Sequence, residues 1–249
     1  MKPSELFKKD REIIRKMPPK EKLLHIWHYY KWYFAAALLV VIYIVSTISA
    51  YMETSGCVLN GYFLNVTGPA YTLTELSEEF HPGDGDETVY IDTLFFTASP
   101  SKEDAADVYE TFQNLIARAH AGDLDFIVTG EEAVNQLIYN EFYVDLSAYL
   151  TAEQLSAYEG RLLYMDRAFL ERIRQLDPSS LSAPVKYPDA SDPSSMEDPV
   201  PVLIDIRDCQ WISRLYPNNT GLHAFGLVTN GQHHEKALAF LDFLLKGTT

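Results

Sequence analysis

The chain has 249 residues, 47% of them hydrophobic, and a net charge of −15. That length carries a core-forming domain with residues to spare. The acidic balance excludes nucleic acid, whose binding needs a basic surface. The charge is unevenly placed: residues 1–31 carry nine Lys/Arg against four acids, so they are +5 and the remainder is −20.

An uncharged run of 21 residues, Trp32 to Met52, follows the basic segment. As a helix it spans roughly 30 Å, the thickness of a bilayer's hydrocarbon core. His25 to Phe34 is dense in Trp and Tyr, which favour the membrane–water boundary. The positive-inside rule then puts residues 1–31 in the cytoplasm, a transmembrane helix at 32–52 and an extracytoplasmic domain at 53–249. The plasma membrane is the expected location, and the lipid bilayer, through Trp32 to Met52, the first expected partner. Three alternatives stand beside this reading. A cleaved signal peptide has a shorter apolar stretch, of about 7–15 residues. A lipoprotein would use Cys57 in Thr54-Ser55-Gly56-Cys57, and a buried soluble helix would not need the charge asymmetry. Phe7, Ile13, Ile14 and Met17 sit at helical spacing among Lys and Arg. They suit either an amphipathic surface helix ended by Pro18-Pro19 or a solvated topogenic tail.

Beyond the run, Cys57–Val66 reads as a strand and Tyr71–Phe80 as a helix opened by a Thr72/Glu75 capping box. His81–Asp86 is a turn-rich loop, and Thr88–Thr97 a second strand. Ser101 caps a helix to Ala121 with Ala105, Val108, Phe112, Leu115, Ile116 and Ala119 on one face, and Gly122 ends it. Leu124–Val128 is a third strand, and Thr129 with Glu132 forms the next capping box. Thr151 and Gln154 begin a short helix; Phe169, Ile173 and Leu176 mark another. Asp177–Pro201, with six Pro and six Ser, reads as a loop or linker. Val202–Ile206 and His223–Thr229 are strands. His233–Lys246 is a terminal helix with Ala237, Leu238, Leu241, Leu244 and Leu245 inward.

The alternation of strands and helices predicts an α/β domain, a three-layer, mostly parallel sheet with right-handed crossovers. Ligands on such sheets bind beyond the carboxyl ends of the strands. The candidate ligand-binding residues are therefore Asn65, Thr97, Thr129, Gly130, Glu131 and Asn230, with the Gly130 and Glu131 amides at a helix start suited to an anion. Ordinary caps and turns use the same residue types. No nucleotide-binding glycine motif, Gly-x-Ser-x-Gly elbow or His-Glu-x-x-His is present, so neither an enzyme nor a cofactor is expected. His81, Asp84, Asp86 and Glu87 lack metal-ligand spacing, and His233-His234 point to different helix faces, so no metal is expected. Cys57 and Cys209 are either a disulfide pair or small buried residues. Asn65-Val66-Thr67 and Asn218-Asn219-Thr220 are glycosylation-type triplets, relevant only to a eukaryotic secretory route.

Ala121-Gly122-Asp123-Leu124-Asp125-Phe126-Ile127-Val128-Thr129-Gly130-Glu131-Glu132 resembles the hinge strand of bacterial extracytoplasmic solute-binding proteins of the type 2 periplasmic-binding fold. Phe142-Tyr143-Val144-Asp145-Leu146-Ser147-Ala148-Tyr149-Leu150 is similar to the "fly-D-Leu-Ser" segment that follows it there. Gly226–Asn230 with Glu235–Leu245 resembles the family's returning strand and terminal helix. The likeness covers residues 57–150 and 202–246. It implies a type 2 lobe with a reduced second lobe, because only about 70 residues separate Leu150 from the returning strand. It also implies a membrane-anchored binding protein for a small-molecule ligand. The alternative is an assembly module, without the cleft, that docks an envelope protein partner.

Overall fold

The computed structural model describes residues 57–81, 88–97, 105–175 and 186–246, together with 18, 36 and 38–45. The chain divides into two compact units, Met1–Ser55 and Gly56–Thr249. In the first, residues 36 and 38–45 are helical, and Leu38 through Val45 are each 48–72% exposed. Among the described residues no helix is long and apolar enough to cross a membrane. Most of the Trp32–Met52 run lies outside them, as do the His81–Asp86 loop beyond its first residue, the Ser101 cap and residues 176–185 of the Pro/Ser-rich segment.

The second unit is α/β. Six strands form one sheet: β1 (Cys57–Leu64), β2 (Thr88–Leu94), β3 (Phe126–Gly130), β4 (Leu162–Asp166), β5 (Pro199–Asp205) and β6 (His223–Leu227), in the order β2-β1-β3-β6-β5-β4. The helices are α1 (Tyr71–Glu79), α2 (Ala105–Ala121), α3 (Glu131–Tyr139), α4 (Ala152–Ala157), α5 (Arg167–Gln175), α6 (Gln210–Leu215) and α7 (His234–Lys246). The side-chain period of two along each strand makes two cores. Leu59, Phe63, Phe126, Val128, Phe225 and Leu227 face α1, α6 and α7; Tyr62, Leu64, Ile127, Ala224 and Val228 face α2, α3 and α5. The domain therefore has the expected three layers.

The expectation of a mostly parallel sheet is corrected. β1 runs parallel to β2 and β3, but the pairs β3–β6, β6–β5 and β5–β4 are antiparallel. After β3 the chain crosses to the far edge and returns strand by strand until β6 docks on β3. β4 was not foreseen: five residues, LLYMD, show no clean alternation, and their burial is irregular. The segment expected to form a reduced second lobe instead supplies β4 and β5 to the same sheet, and Gly56–Thr249 is one compact unit.

Local chemistry explains where elements start. Thr151 and Gln154, expected to begin a helix, do so through a capping box, each backbone amide bonded to the other's side chain. The boxes expected at α1 and α3 do not form. Ala70 and Gly130 are the capping residues there, and neither helix has a side-chain cap. Thr72 is instead buried within the first turn of α1. Gly122 ends α2 at φ +74°, a conformation that glycine tolerates without strain. In α7, Ala237, Leu241 and Leu244 are buried, Leu238 and Leu245 half-buried, and Phe240, not foreseen, is fully buried.

Phe126 centres the first core. Its ring stacks on Phe225 at 5.1 Å and meets Phe240 at 4.9 Å and Phe63 edge-on at 6.1 Å. A Cβ on Gly61 would lie 2.0 Å from Phe126 Cζ, so the ring occupies the space that a side chain would take.

Candidate functional site

The strand directions decide where the candidate residues go. β1, β2, β3 and β5 end at one end of the sheet, while β4 and β6 end at the other. Asn65, Thr97, Thr129, Gly130 and Glu131 follow strands that end together. Asn230 follows β6, so it lies at the opposite end, against the start of β3. Grouping it with the others is corrected, because β6 was expected to run parallel. Asn230 has φ +66° and lines a separate cavity of about 380 Å³ with His120, Asn140 and Glu141.

The other candidates do not converge. Asn65, at φ +58°, clamps two strand ends together: its Nδ2 donates to Phe96 O at 2.6 Å and its Oδ1 accepts from Phe96 N at 2.7 Å. Both halves of its amide are thus engaged. Thr97 also has partners of its own. Thr129 is fully buried, and its hydroxyl donates to Gly130 O at 3.3 Å. Beside it the Tyr143 hydroxyl is buried without a hydrogen-bond partner, and burial holds that phenol protonated by pushing its pKa far up. Only Glu131 reaches a large open space.

That space is a groove of about 1440 Å³. Glu131, Val134 and Asn135 of α3 form one wall. β4 and the turn before it, from Glu159 to Asp166, run along it, and residues 186–195 form the opposite rim. Asp205, Arg207, Gly221 and Leu222 close the end nearest the carboxyl ends of β3 and β5. At the other end Tyr187 stacks on Tyr139 at 4.8 Å, and Phe169 meets Tyr139 edge-on at 5.2 Å.

The rim is built from the segment read as a linker. Asp189 Oδ1 accepts from Ser191 N at 2.9 Å and from Ser191 Oγ at 2.7 Å; Asp192 Oδ1 does the same for Ser194 at 3.1 and 2.6 Å. These local turns replace a regular backbone ladder. Ala190 O then accepts from Tyr164 N at 2.8 Å and fastens the rim to β4. The Asp-x-Ser repeat was the available sequence signal, and it indicates turns, not a groove.

Charge in the groove is partly paired. Arg207 Nε donates to Asp205 Oδ2 at 2.6 Å, and Arg161 lies 3.5 Å from Asp208. Arg172 lies 3.9 Å from Asp166 and also pairs with Glu197. Burial opposes the charged form of the Asp166 carboxyl, but amides from Asp198, Glu197 and Phe169 hold it below the usual carboxylate range. Glu131 and Glu159 form no ion pair among the described residues. Asn135 Oδ1 is buried with no hydrogen-bond partner.

The motifs behind the family resemblance do structural work away from the groove. Asp125 is 1% exposed and accepts from Asn60 N at 2.9 Å, Gln232 N at 2.9 Å and His233 N at 2.8 Å, with His233 Nδ1 at 3.2 Å. It ties β1 to the start of α7. Asp145 caps the short 3₁₀ turn Leu146–Ala148 through Ser147 N at 2.9 Å and meets Arg167 at 3.1 Å. His234 Nε2 lies 2.8 Å from Val228 O, so the adjacent histidines serve different partners. Cys209, at the N-terminus of α6 but without a side-chain cap bond, is a free, buried thiol, and burial pushes its pKa up to about 11. Among the described residues no group of three or more His, Cys, Asp or Glu is placed to hold a metal ion. Compared with known proteins, the chain matches no family model, no curated protein and no solved structure.

Proposed function

We propose that this chain is a membrane-tethered extracytoplasmic binding domain, held by the Trp32–Met52 run with residues 1–31 in the cytoplasm. The observation that carries the binding reading is the groove beside β4. It is lined by Glu131 and Glu159, which form no ion pair among the described residues, and by Asn135, whose Oδ1 is buried without a hydrogen-bond partner. The reading also rests on the resemblance to solute-binding proteins; the strand likened to the family's hinge (β3) and the one likened to its returning strand (β6) lie side by side in the sheet. The tether is supported by the charge asymmetry and by Leu38–Val45: a helix apolar on all sides suits lipid.

The test uses the full chain in detergent. Thermal unfolding is followed against amino acids, sugars, short peptides and divalent metals. A ligand of the folded state raises the midpoint in proportion to the logarithm of its concentration over its affinity. A concentration-dependent rise that Glu159→Gln reduces is expected; a flat response to every class overturns the binding reading. Retention of the full chain in the membrane pellet at alkaline pH is expected, and its release would overturn the tether.

A second reading, an assembly module without a ligand cleft, is favoured by the sheet itself. The stretch between Leu150 and β6 adds β4 and β5 rather than a lobe that could close on a solute. It differs from the first in docking an envelope protein rather than taking up a small-molecule ligand.

A further inference from the structure

The outer edge of β4 runs along the groove, and its backbone is only partly used. Asp205 N donates to Arg161 O at 2.8 Å, and Leu162 pairs with Ile204. In an antiparallel ladder hydrogen-bonding residues alternate, so Arg161 and Leu163 face β5 while Leu162 and Tyr164 face away. The bond from Tyr164 N to Ala190 O confirms that direction. Asp166 N, next in the series, reaches Tyr139 Oη at 3.4 Å. Leu162 presents its N–H and C=O toward the groove with no partner among the described residues. Backbone groups left open on a half-buried edge strand are a template for a further strand.

Two side-chain features bear on the occupant. Asn135, on the facing helix, offers a buried acceptor without a donor. Glu131 and Glu159 are the unpaired charges of the groove end nearest Leu162, because the arginines there face Asp205 and Asp208. The space, about 1440 Å³, also exceeds the 300–1,000 Å³ usual for small-molecule pockets. We propose that the groove binds an extended, basic polypeptide segment by strand addition at Leu162, its cations meeting Glu131 and Glu159 and a donor reaching Asn135 Oδ1. This rests on the groove being the binding site and names the chemistry of what fills it.

The test measures fluorescence anisotropy of a labelled (Lys-Val)₃ peptide, capped at both ends, with the full chain in detergent. Saturable binding is expected, weakened at least tenfold for (Glu-Val)₃ and at least tenfold for a (Lys-Val)₃ peptide N-methylated at alternate residues. N-methylation keeps the charge and removes the ladder donors. Glu131→Gln with Glu159→Gln is expected to weaken binding about tenfold and to flatten its salt dependence. Leu162→Pro, which removes the outward N–H, is expected to abolish it. The N-methylated peptide probes the wild-type chain, so the result does not depend on that variant folding. Equal binding of both methylation states, or no binding of the basic peptide, overturns the proposal. If the peptide fails while a small solute still raises the unfolding midpoint, strand addition falls and the binding reading stands.

Discussion

The two halves of the sheet treat their polar groups differently. In the parallel half, β1 to β3, almost every notable polar side chain is closed on the fold. Asn65 clamps Phe96, and Asp125 gathers three backbone amides. In the antiparallel half, β4 leaves Leu162 open, and the helix facing it leaves Asn135 Oδ1 unpartnered. The recognisable motifs are scaffold, and the β4 edge, which carries none of them, holds the free chemistry. The reason is physical: a motif is legible when one geometry demands one residue type, as buried capping does, whereas an open groove accepts many.

This contrast breaks most sharply at Asp125. Asp125→Ala leaves buried amides without an acceptor, and a cost of about 3–5 kcal/mol is expected, each orphaned donor contributing about 1–3 kcal/mol. The urea midpoint of the full chain should fall at constant slope. A shift below about 1 kcal/mol would mean that the motif aspartate is not a structural tie. Gly61→Ala tests the same half by volume. Its Cβ meets the Phe126 ring, which is locked between Phe225 and Phe240, so a cost of about 1–3 kcal/mol is expected in the same measurement.

Much of the parallel half was legible from sequence because each element there carries a local signal. α2 has its apolar stripe and Gly122, and β1 to β3 are apolar runs bounded by turns. The antiparallel half was harder. β4 is short, and its irregular pattern follows from a register shift at Leu163/Tyr164 that leaves Val202 of β5 unopposed. The direction of β6 is a tertiary outcome that nothing in His223–Leu227 encodes, and it is why Asn230 fell at the wrong end. The groove rim was hidden for another reason. Proline and serine do mark irregular backbone, but whether that backbone hangs free or folds onto an edge depends on Tyr164 N and Ala190 O, which are far apart in sequence.

The seam between the halves is expected to respond to pH through His223. It is 1% exposed; its Nδ1 donates to Gly221 O at 3.1 Å, and its ring lies 4.0 Å from that of Tyr216. Burial lowers its pKa below the ordinary 6.5, opposed by the Gly221 carbonyl and Asp205 and assisted by Arg207. Below 6.5 the unfolded chain then binds more protons than the folded one. Stability is full above pH 6.5 and falls as pH drops from there through the folded value. His223→Phe should flatten thermal midpoints across that window while leaving the steeper loss near pH 3.8 and below, where Asp166 must protonate. A parallel decline in both proteins would show that His223 does not govern the seam.

The smallest effect on stability should come from the groove, and its sign carries the information. Asn135→Leu removes a buried acceptor that has no donor and replaces it with a side chain of similar size. A buried polar group without a partner opposes folding, so the variant should be about 1 kcal/mol more stable, read as a rise in urea midpoint. The same substitution should weaken binding of the capped (Lys-Val)₃ peptide several-fold. Gain of stability with loss of binding is the signature of a residue kept for what it meets rather than for what it holds together. A loss of stability would mean that Asn135 belongs with Asn65 and Asp125 as part of the scaffold, and the division between the two halves would then fall at β4 rather than at β3.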